Sequence, residues 1–213
     1  MTEFEIINSK QKILCFIGRS SMTKAIVPTL QSQFYCEIIS TEDLNSQNAR
    51  WFDQRAFIIL SSDVKFKMQT IAWLSDINPT YFSMISKQNC LGSDTKIGEG
   101  TCVFPYNNTT IGPVIIGRHC VVGSYNIFSH NTVFGDFCHT GHYGFFTNCK
   151  IGTGNVFGIR PIIRNNDASR SISTAEFCNF ISDSAIKKDV LKSGTYYGNR
   201  QLNEETSITK RIL

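Results

Sequence analysis

Apolar residues recur at every sixth position through the second half of the chain. The series runs Ile116, Val122, Phe128, Phe134, Thr140 and Phe146 and, after one step of five, Ile151, Phe157 and Ile163. Eight of these nine residues are apolar, and glycine follows six of the nine. A chain that winds through three short strands per coil uses about 18 residues per coil, so a side recurs about every six residues. The pattern therefore predicts a parallel β-helix.

The same repeat assigns roles to the residues between the apolar positions. The residue after each apolar one lies at a corner, where a positive φ or a close backbone approach favours glycine. A narrow interior also needs small inward side chains, and these are predicted to be Cys120, Asn126, Thr132, Cys138 and Gly144. Cys120 and Cys138 are one coil apart and should stack. The alternative, a β-sandwich, has strands that recur about every 8 to 12 residues and keeps no six-residue phase.

The limits of the repeat divide the chain near residue 90. Ile97 belongs to an earlier coil, and residues 164–170 break the phase, which predicts an inserted loop. The tail beyond Gly194 is expected to leave the prism. The predicted domains are residues 1–90 and a β-helix with a C-terminal tail at residues 91–213.

Strand-like runs alternate with helical spacing in the first 90 residues. The predicted strands are residues 13–17, 34–39, 57–60 and 81–85, and the predicted helices are residues 22–31 and 64–75. This alternation is typical of a small parallel α/β domain, here predicted to be Rossmann-like. The turn at residues 18–24 is where such a fold receives a phosphate. Only Gly18 of a glycine-rich loop is present there.

Charge and composition exclude several classes of protein. The 213 residues carry a net charge of +4 with scattered Lys and Arg, so nucleic acid is not an expected partner. No apolar run reaches the ~18 residues of a membrane span, and the acidic N-terminus has no signal-peptide pattern. We expect a cytoplasmic protein without membrane insertion. The eight cysteines lack metal-type spacing, so they are interpreted as packing residues and no metal is expected.

Residues 128–139 are the most specific stretch of the sequence. They contain His130, a Gly-Asp-Phe step at residues 135–137 and a second histidine, His139, nine positions after the first. With the rung at residues 116–120, this stretch resembles the sialic acid O-acetyltransferase and nucleotide-amino-sugar N-acetyltransferase family of hexapeptide-repeat acyltransferases. The resemblance implies a small α/β domain followed by a left-handed parallel β-helix. It also implies acetyl-coenzyme A, or another acyl-coenzyme A, as co-substrate and a homotrimer with active sites between subunits.

The resemblance implies catalytic roles for three residues. His130 would be the general base, since an imidazole with a pKa near ~6.5 can accept the proton that an amine loses as it attacks a thioester. Asn131 stands where the family usually has Asp or Glu, so Asp136 is an alternative carboxylate partner. His139 would help to place the acyl donor.

Binding roles follow from the same resemblance. Coenzyme A would be bound by Gly144, Asn148, Gly158, Lys187 and Lys188, and the nucleotide of the acceptor by Gly18, Arg19, Ser20, Ser21 and Lys24. Backbone N–H groups of residues 144–148 are expected to form the oxyanion hole. His119 and His142 are expected to be polar surface residues.

Three functions remain open from the sequence. The first is N-acylation, by direct transfer, of a nucleotide-linked amino sugar for O-antigen or another surface glycan. The second is O-acetylation of a sugar hydroxyl, which His130 could serve equally well. The third is a catalytically inactive β-helix scaffold. Asn131 and the loss of inner glycines from residues 18–24 fit the scaffold, whereas two histidines in register argue against it.

Overall fold

The chain forms a three-sided prism of parallel strands, with a smaller α/β layer packed on its first coils. The computed structural model describes residues 3–7, 9–18, 20–165, 167 and 169–203. The N-terminal part contains strands Phe4–Ile7 (β1), Ile13–Ile17 (β2), Tyr35–Ile39 (β3), Arg55–Ile58 (β4) and Thr80–Tyr81 (β5), and helices Ser21–Leu30 (α1), Thr41–Leu44 (α2), Ala49–Asp53 (α3) and Val64–Leu74 (α4).

Each side of the prism is one sheet. The long face contains Ser83–Ser86 (β6), Cys102–Val103 (β8), Val121–Val122 (β11), His139–Thr140 (β14), Val156–Phe157 (β17), Cys178–Phe180 (β20), Gly194–Tyr197 (β22) and Arg200–Leu202 (β23), with β1 at its first edge. The second face contains Thr95–Ile97 (β7), Val114–Ile116 (β10), Thr132–Phe134 (β13), Cys149–Ile151 (β16) and Ile172–Ser173 (β19). The third face contains Asn108–Ile111 (β9), Ile127–Ser129 (β12), Phe145–Thr147 (β15), Ile162–Ile163 (β18) and Ala185–Ile186 (β21).

The residues that the six-residue series places inside the prism are buried there. Each of the nine is at most 4% exposed. The ring centroids of Phe128 and Phe146 lie 5.1 Å apart in stacked coils, and burying a ring of this size contributes about 2 kcal/mol. Cys120 and Cys138 are both buried inside the prism, as expected. The predicted β-helix is confirmed, while its left hand stays a prediction.

The corners confirm the close backbone approach but place the left-handed backbone elsewhere. A Cβ on Gly117 would lie 2.6 Å from the carbonyl carbon of Gly135 in the next coil, so no larger residue fits. Positive φ angles fall two residues later, on His119 (φ 54°) and Phe137 (φ 62°). A left-handed non-glycine residue costs about 1 to 2 kcal/mol, which the packing of the coils must offset.

The N-terminal layer is a four-stranded parallel sheet in the order β3-β2-β4-β5. Helices α1 and α4 start within a residue of the predicted positions, whereas β4 lies two residues before its predicted range of 57–60. The strand predicted at 81–85 is divided into two, because β5 pairs with β4 whereas β6 pairs with β8 of the long face. Between them the Phe82 N–H donates to the Phe57 carbonyl (3.0 Å). The Rossmann-like classification and the division at residue 90 stay predictions.

The C-terminal part differs from the expectation that the chain leaves the prism after Gly194. Strand β22 pairs in parallel with β20, and β23 returns antiparallel to it. The inserted loop is confirmed, because Cys149 pairs with Ile172, 23 positions later, while Val114 pairs with Thr132, 18 positions later.

Candidate active site

The three edges of the prism differ in their side chains. The covered edge, between the second and long faces, has the left-handed residues Gly100, His119, Phe137, Gly154 and Phe177. The tyrosine edge, between the long and third faces, has Tyr106, Tyr125, Tyr143, Arg160 and Asp183. The open edge, between the third and second faces, has Gly112, His130, Asn131 and Asn148 and continues to Lys187 and Lys188.

His130 lies exposed on the open edge, directly after β12. Its backbone is left-handed (φ 46°), as is that of Asn131 (φ 58°), and its N–H donates to the Ile111 carbonyl (2.7 Å). One coil earlier, Gly112 presents no side chain, and a Cβ there would lie 3.4 Å from the Cα of His130. The imidazole therefore projects from a fixed backbone towards solvent, where a ligand can reach it.

His139 lies on a different edge, at the start of β14 on the long face. Strand β13 separates it from His130, a length of about 10 Å at ~3.3 Å per residue. Nδ1 of His139 is buried and has no hydrogen-bond partner among the described residues. Burial, with the positive charge of Lys67 and then His142, lowers the pKa of His139 to about 4. Within one chain, the two imidazoles do not share the cleft that the sequence suggested.

His119 is buried, contrary to the expectation of a surface residue. Its side chain is 4% exposed, stacks on Phe137 (centroids 5.3 Å apart) and meets Tyr81 edge-on (4.8 Å). Burial, followed by the charges of Arg118 and Lys67, lowers the pKa of His119 to about 4. His142 is exposed, as expected, and its Nδ1 accepts the Ser124 N–H (2.9 Å).

Asp136 does not support His130. Its carboxylate accepts hydrogen bonds from the backbone N–H, Nε and Nη2 of Arg118 (2.8, 3.0 and 2.8 Å). Partial burial acts to raise its pKa, but these bonds to Arg118 hold the pKa of Asp136 below its ordinary value. The alternative that assigned Asp136 as the partner of the base is therefore wrong, since it lies on the covered edge.

The residues predicted for coenzyme A divide between two edges. Asn148, Lys187 and Lys188 lie on the open edge with His130. Gly144 and Gly158 lie beside the tyrosine edge, and their N–H groups donate to Asn126 Oδ1 (2.7 Å) and the Phe180 carbonyl (2.8 Å).

The expected oxyanion hole at residues 144–148 is wrong. The N–H groups of Gly144, Phe145 and Asn148 donate to Asn126 Oδ1, the Pro161 carbonyl and the Ser129 carbonyl, at 2.7, 2.9 and 3.3 Å. These donors belong to the hydrogen bonds between coils, so they are not directed at a ligand. The side chain of Asn148 binds the inserted loop, donating to the Arg170 carbonyl (3.1 Å).

A cationic cavity of about 290 Å³ lies at the far end of the open edge. It is lined by Asn165, Arg170, Ile172, Lys187, Lys188 and Asp189. Arg170 Nη2 lies 2.7 Å from Asp189 Oδ2, which leaves two lysines for an anionic ligand. The backbone N–H groups of both lysines donate to Asn199 Oδ1, so the terminal hairpin fixes this corner. Arg170 and Asn199 were not predicted, because both lie outside the regular repeat.

Gly18 and Ser20, in the turn predicted to bind a phosphate, already form hydrogen bonds within the protein. Gly18 (φ 90°) donates its N–H to the Ile39 carbonyl, and Ser20 caps α1 while its Oγ donates to the Leu60 carbonyl (2.6 Å). Ser21 begins α1, and Lys24 is exposed. Arg19 lies outside the described residues.

A cavity of about 680 Å³ lies between α4 and the long face. Its lining includes the apolar side chains of Val64, Met68, Val156 and Phe177 and the polar side chains of Asp63, Lys65, Gln69 and Asn179. In the ladder of the long face, Val156, which lines the cavity, pairs with His139. A cavity of this size, apolar with a few polar groups, is typical of a small-molecule site.

The remaining expectations from the sequence concern the cysteines, metal ions and membrane spans. The eight cysteines are free, and all are at least partly buried except Cys90, which is exposed, so packing does not explain that one. In the part of the chain that the structure describes, no three or more His, Cys, Asp or Glu side chains are grouped to hold a metal ion. No helix within the described ranges has the length and apolarity to cross a bilayer.

Comparisons by sequence find neither a matching protein-family model nor a matching curated protein. Comparisons by structure do find relatives. The acetyltransferase domain of PglB from Neisseria gonorrhoeae FA1090 aligns with a TM-score of 0.76 at 15% identity, covering 90% of this chain and 100% of that one. WeeI from Acinetobacter baumannii AYE gives 0.78 at 19%, covering 89% and 99%. The fold is one that acetyltransferases use.

Two related structures contain ligands. The PglB domain was also solved in complex with acetyl coenzyme A. PerB from Caulobacter crescentus, solved in complex with CoA and GDP-perosamine, aligns with a TM-score of 0.59 at 12% identity, covering 85% of this chain and 92% of that one. At these identities the likeness establishes a shared fold.

Proposed function

We propose that the chain is an acyl-coenzyme A-dependent N-acyltransferase that acetylates the amino group of a nucleotide-linked amino sugar. The observation that carries the proposal is the open edge, where His130 and a cationic cavity lie on one line along the prism. They are three coils apart, about 14 Å at ~4.8 Å per coil. Coenzyme A has this arrangement of groups, with a thioester at one end and phosphates at the other. Structural relatives crystallised with acetyl coenzyme A and with CoA support the same ligand.

Transfer would proceed directly from thioester to amine. The amine nitrogen attacks the thioester carbonyl while His130 takes the proton that the nitrogen loses. The carbon–sulfur bond then breaks, and the sulfur leaves as a thiolate that is protonated to the thiol. Asn131 cannot supply the charge of the family's acidic neighbour. A positioned imidazole contributes about 10²- to 10⁴-fold to such a step.

We assign the amino-sugar acceptor to the cavity between α4 and the long face. The cavity is large enough for a sugar. Lys65 lies at its rim and takes part in none of the five ion pairs found among the described residues, so its ammonium can bind a phosphate. The turn at residues 18–24 contributes less than expected, because the Ser20 hydroxyl already binds the Leu60 carbonyl.

A second copy of the chain is needed to complete the site. The acceptor cavity lies between α4 and the long face, whereas the donor line runs along the open edge, and one chain holds them apart. The outer surface of the third face is apolar, with Ile127 and Ile162 43% and 42% exposed on either side of Phe145. Covering this row in a homotrimer would bring one subunit's open edge towards its neighbour's cavity.

The proposal is tested by acyl transfer from acetyl-coenzyme A to a panel of UDP-, GDP- and dTDP-linked amino sugars, with sedimentation of the same sample. We expect turnover of one amino sugar, release of one free thiol per amide formed, and a trimer. Turnover of a hydroxyl acceptor alone would replace N-acylation by O-acetylation. A monomer that binds no acetyl-coenzyme A would contradict the proposal and favour a scaffold.

A further inference from the structure

Lys67 on α4 is a fully buried lysine that contacts the prism. Its side chain is 0% exposed, which is rare for lysine unless its charge is compensated. Nζ donates to the backbone carbonyls of His119 (2.9 Å) and Phe137 (3.2 Å). None of the ion pairs among the described residues includes Lys67. The ammonium is therefore held by carbonyl dipoles from two successive coils.

The two carbonyls belong to left-handed residues of the covered edge. His119 and Phe137 both have left-handed backbone, and their rings stack on each other. A hydrogen bond to a charged donor contributes about 1.5 to 3 kcal/mol, enough to offset the cost of one left-handed residue. Lys67 thus fixes α4 to the corner that leads directly into β14 and His139.

The charge of Lys67 also acts on His139. Nδ1 of this imidazole is buried without a partner among the described residues. Burial has the largest effect on its pKa, and the groups whose charge adds to it are Lys67 from α4 and His142 from its own coil. Both disfavour the imidazolium, so His139 is neutral near pH 7. A neutral ring can donate or accept a hydrogen bond without repelling an amine that carries charge.

Lys67 lies beside the cavity on the helix that forms one wall of it. Its neighbour Met68 lines the cavity, and Val156, which pairs with His139, lines the opposite wall. The distance from α4 to the long face is therefore set where Lys67 anchors the helix. On the basis of the proposed function, we propose that Lys67 is a positioning residue of the acceptor site: by holding α4 on the corner carbonyls of His119 and Phe137, its side chain sets the width of the cavity.

The test compares Lys67→Met with Lys67→Arg and with Thr70→Val. Thr70 is a matched control, because it is buried on the same helix and its hydroxyl donates only within the helix, to the Phe66 carbonyl (2.9 Å). NMR titration of His139 should show half-protonation about one pH unit higher in Lys67→Met, and no change in Lys67→Arg or Thr70→Val. The KM for the amino sugar should rise about tenfold in Lys67→Met, with the KM for acetyl-coenzyme A within about twofold of the native value.

Several results would overturn the inference. One is a His139 that titrates near its ordinary pH in the native chain. Another is an unchanged His139 titration and acceptor KM in a folded Lys67→Met variant. If Lys67→Met does not fold, the Lys67→Arg variant decides. Arginine keeps the positive charge, so a higher pH of half-protonation for His139 in this variant would contradict a role for the charge. The titration needs no substrate, so failure of the proposed function and failure of this inference are distinguishable.

Discussion

The open edge and the covered edge are built from the same six-residue repeat but provide opposite environments for histidine. On the open edge, His130 is exposed to solvent. On the covered edge, His119 lies under Tyr81 and beside the Lys67 ammonium, and its pKa falls to about 4. The difference arises from what packs outside each corner. The repeat places a side chain at a corner, and the N-terminal layer decides whether that side chain meets solvent.

The largest expected effect is on the open edge. Replacing His130 by Ala should lower kcat by about 10²- to 10⁴-fold, because the amine loses its proton acceptor. The thermal midpoint should stay within about 2 °C, since His130 is exposed. Steady-state kinetics and calorimetry measure both. His142→Ala, an exposed histidine on the tyrosine edge, is the control and should retain activity; equal losses in the two variants would remove His130 as the base.

The next effect is on the covered edge and concerns stability. Lys67→Met should lower the free energy of unfolding by about 2 to 4 kcal/mol, because two buried corner carbonyls lose their donor. Urea denaturation measures the change. Thr70→Val keeps the packing of α4 and should cost less than about 1 kcal/mol. A loss of the same size in both would indicate that the helix, not the ammonium, is responsible.

A third prediction concerns the stability of the folded chain at low pH. His119 has a lowered pKa in the folded chain, so the unfolded chain binds more protons between pH ~6.5 and ~4. Its contribution to stability is complete above pH ~6.5 and is lost as the pH falls towards 4, by about 2 kcal/mol at pH 5. His119→Phe keeps the ring stack and should remove that part of the pH dependence. Unfolding curves at pH 7.5 and 5 test this, and identical pH slopes would show that His119 does not titrate as described.

A smaller effect is expected at the far end of the open edge. The double variant Lys187→Ala and Lys188→Ala should raise the KM for acetyl-coenzyme A about tenfold, or about 1.4 kcal/mol, by removing two cations from the phosphates. The exposed lysines of the second face, Lys96 and Lys150, provide the matched double variant. A KM that responds to ionic strength but not to the choice of lysine pair would place the phosphates elsewhere.

The smallest expected effect concerns position 131, next to the proposed base His130. Asn131→Asp introduces a carboxylate next to His130. It should raise kcat by about two- to fivefold, since a neighbouring negative charge favours the imidazolium formed as the amine reacts. The acidic limb of the pH–rate profile, where the base becomes protonated, should move to higher pH. A lower kcat with an unchanged profile would mean that position 131 does not face the imidazole.

The sequence by itself determined the coil. Period and residue size are local properties, so Phe128, Phe146 and Cys138 could be placed inside the prism from their spacing alone. The loop at residues 164–170 followed in the same way, because an interruption in the phase has to leave the prism. Asn148 and Lys187 were assigned through the family resemblance, and it is the structure that places them on one edge with His130.

Only the tertiary structure decided which corner is covered, and this has a physical reason. Burial and charge depend on residues that are distant in sequence, and no period links Lys67 to His119 or β22 to β20. For that reason the surface role expected for His119, the partnership of Asp136 with the base and the departure of the chain after Gly194 were all wrong. A repeat fixes the direction of a side chain, whereas its pKa and accessibility depend on what packs against it.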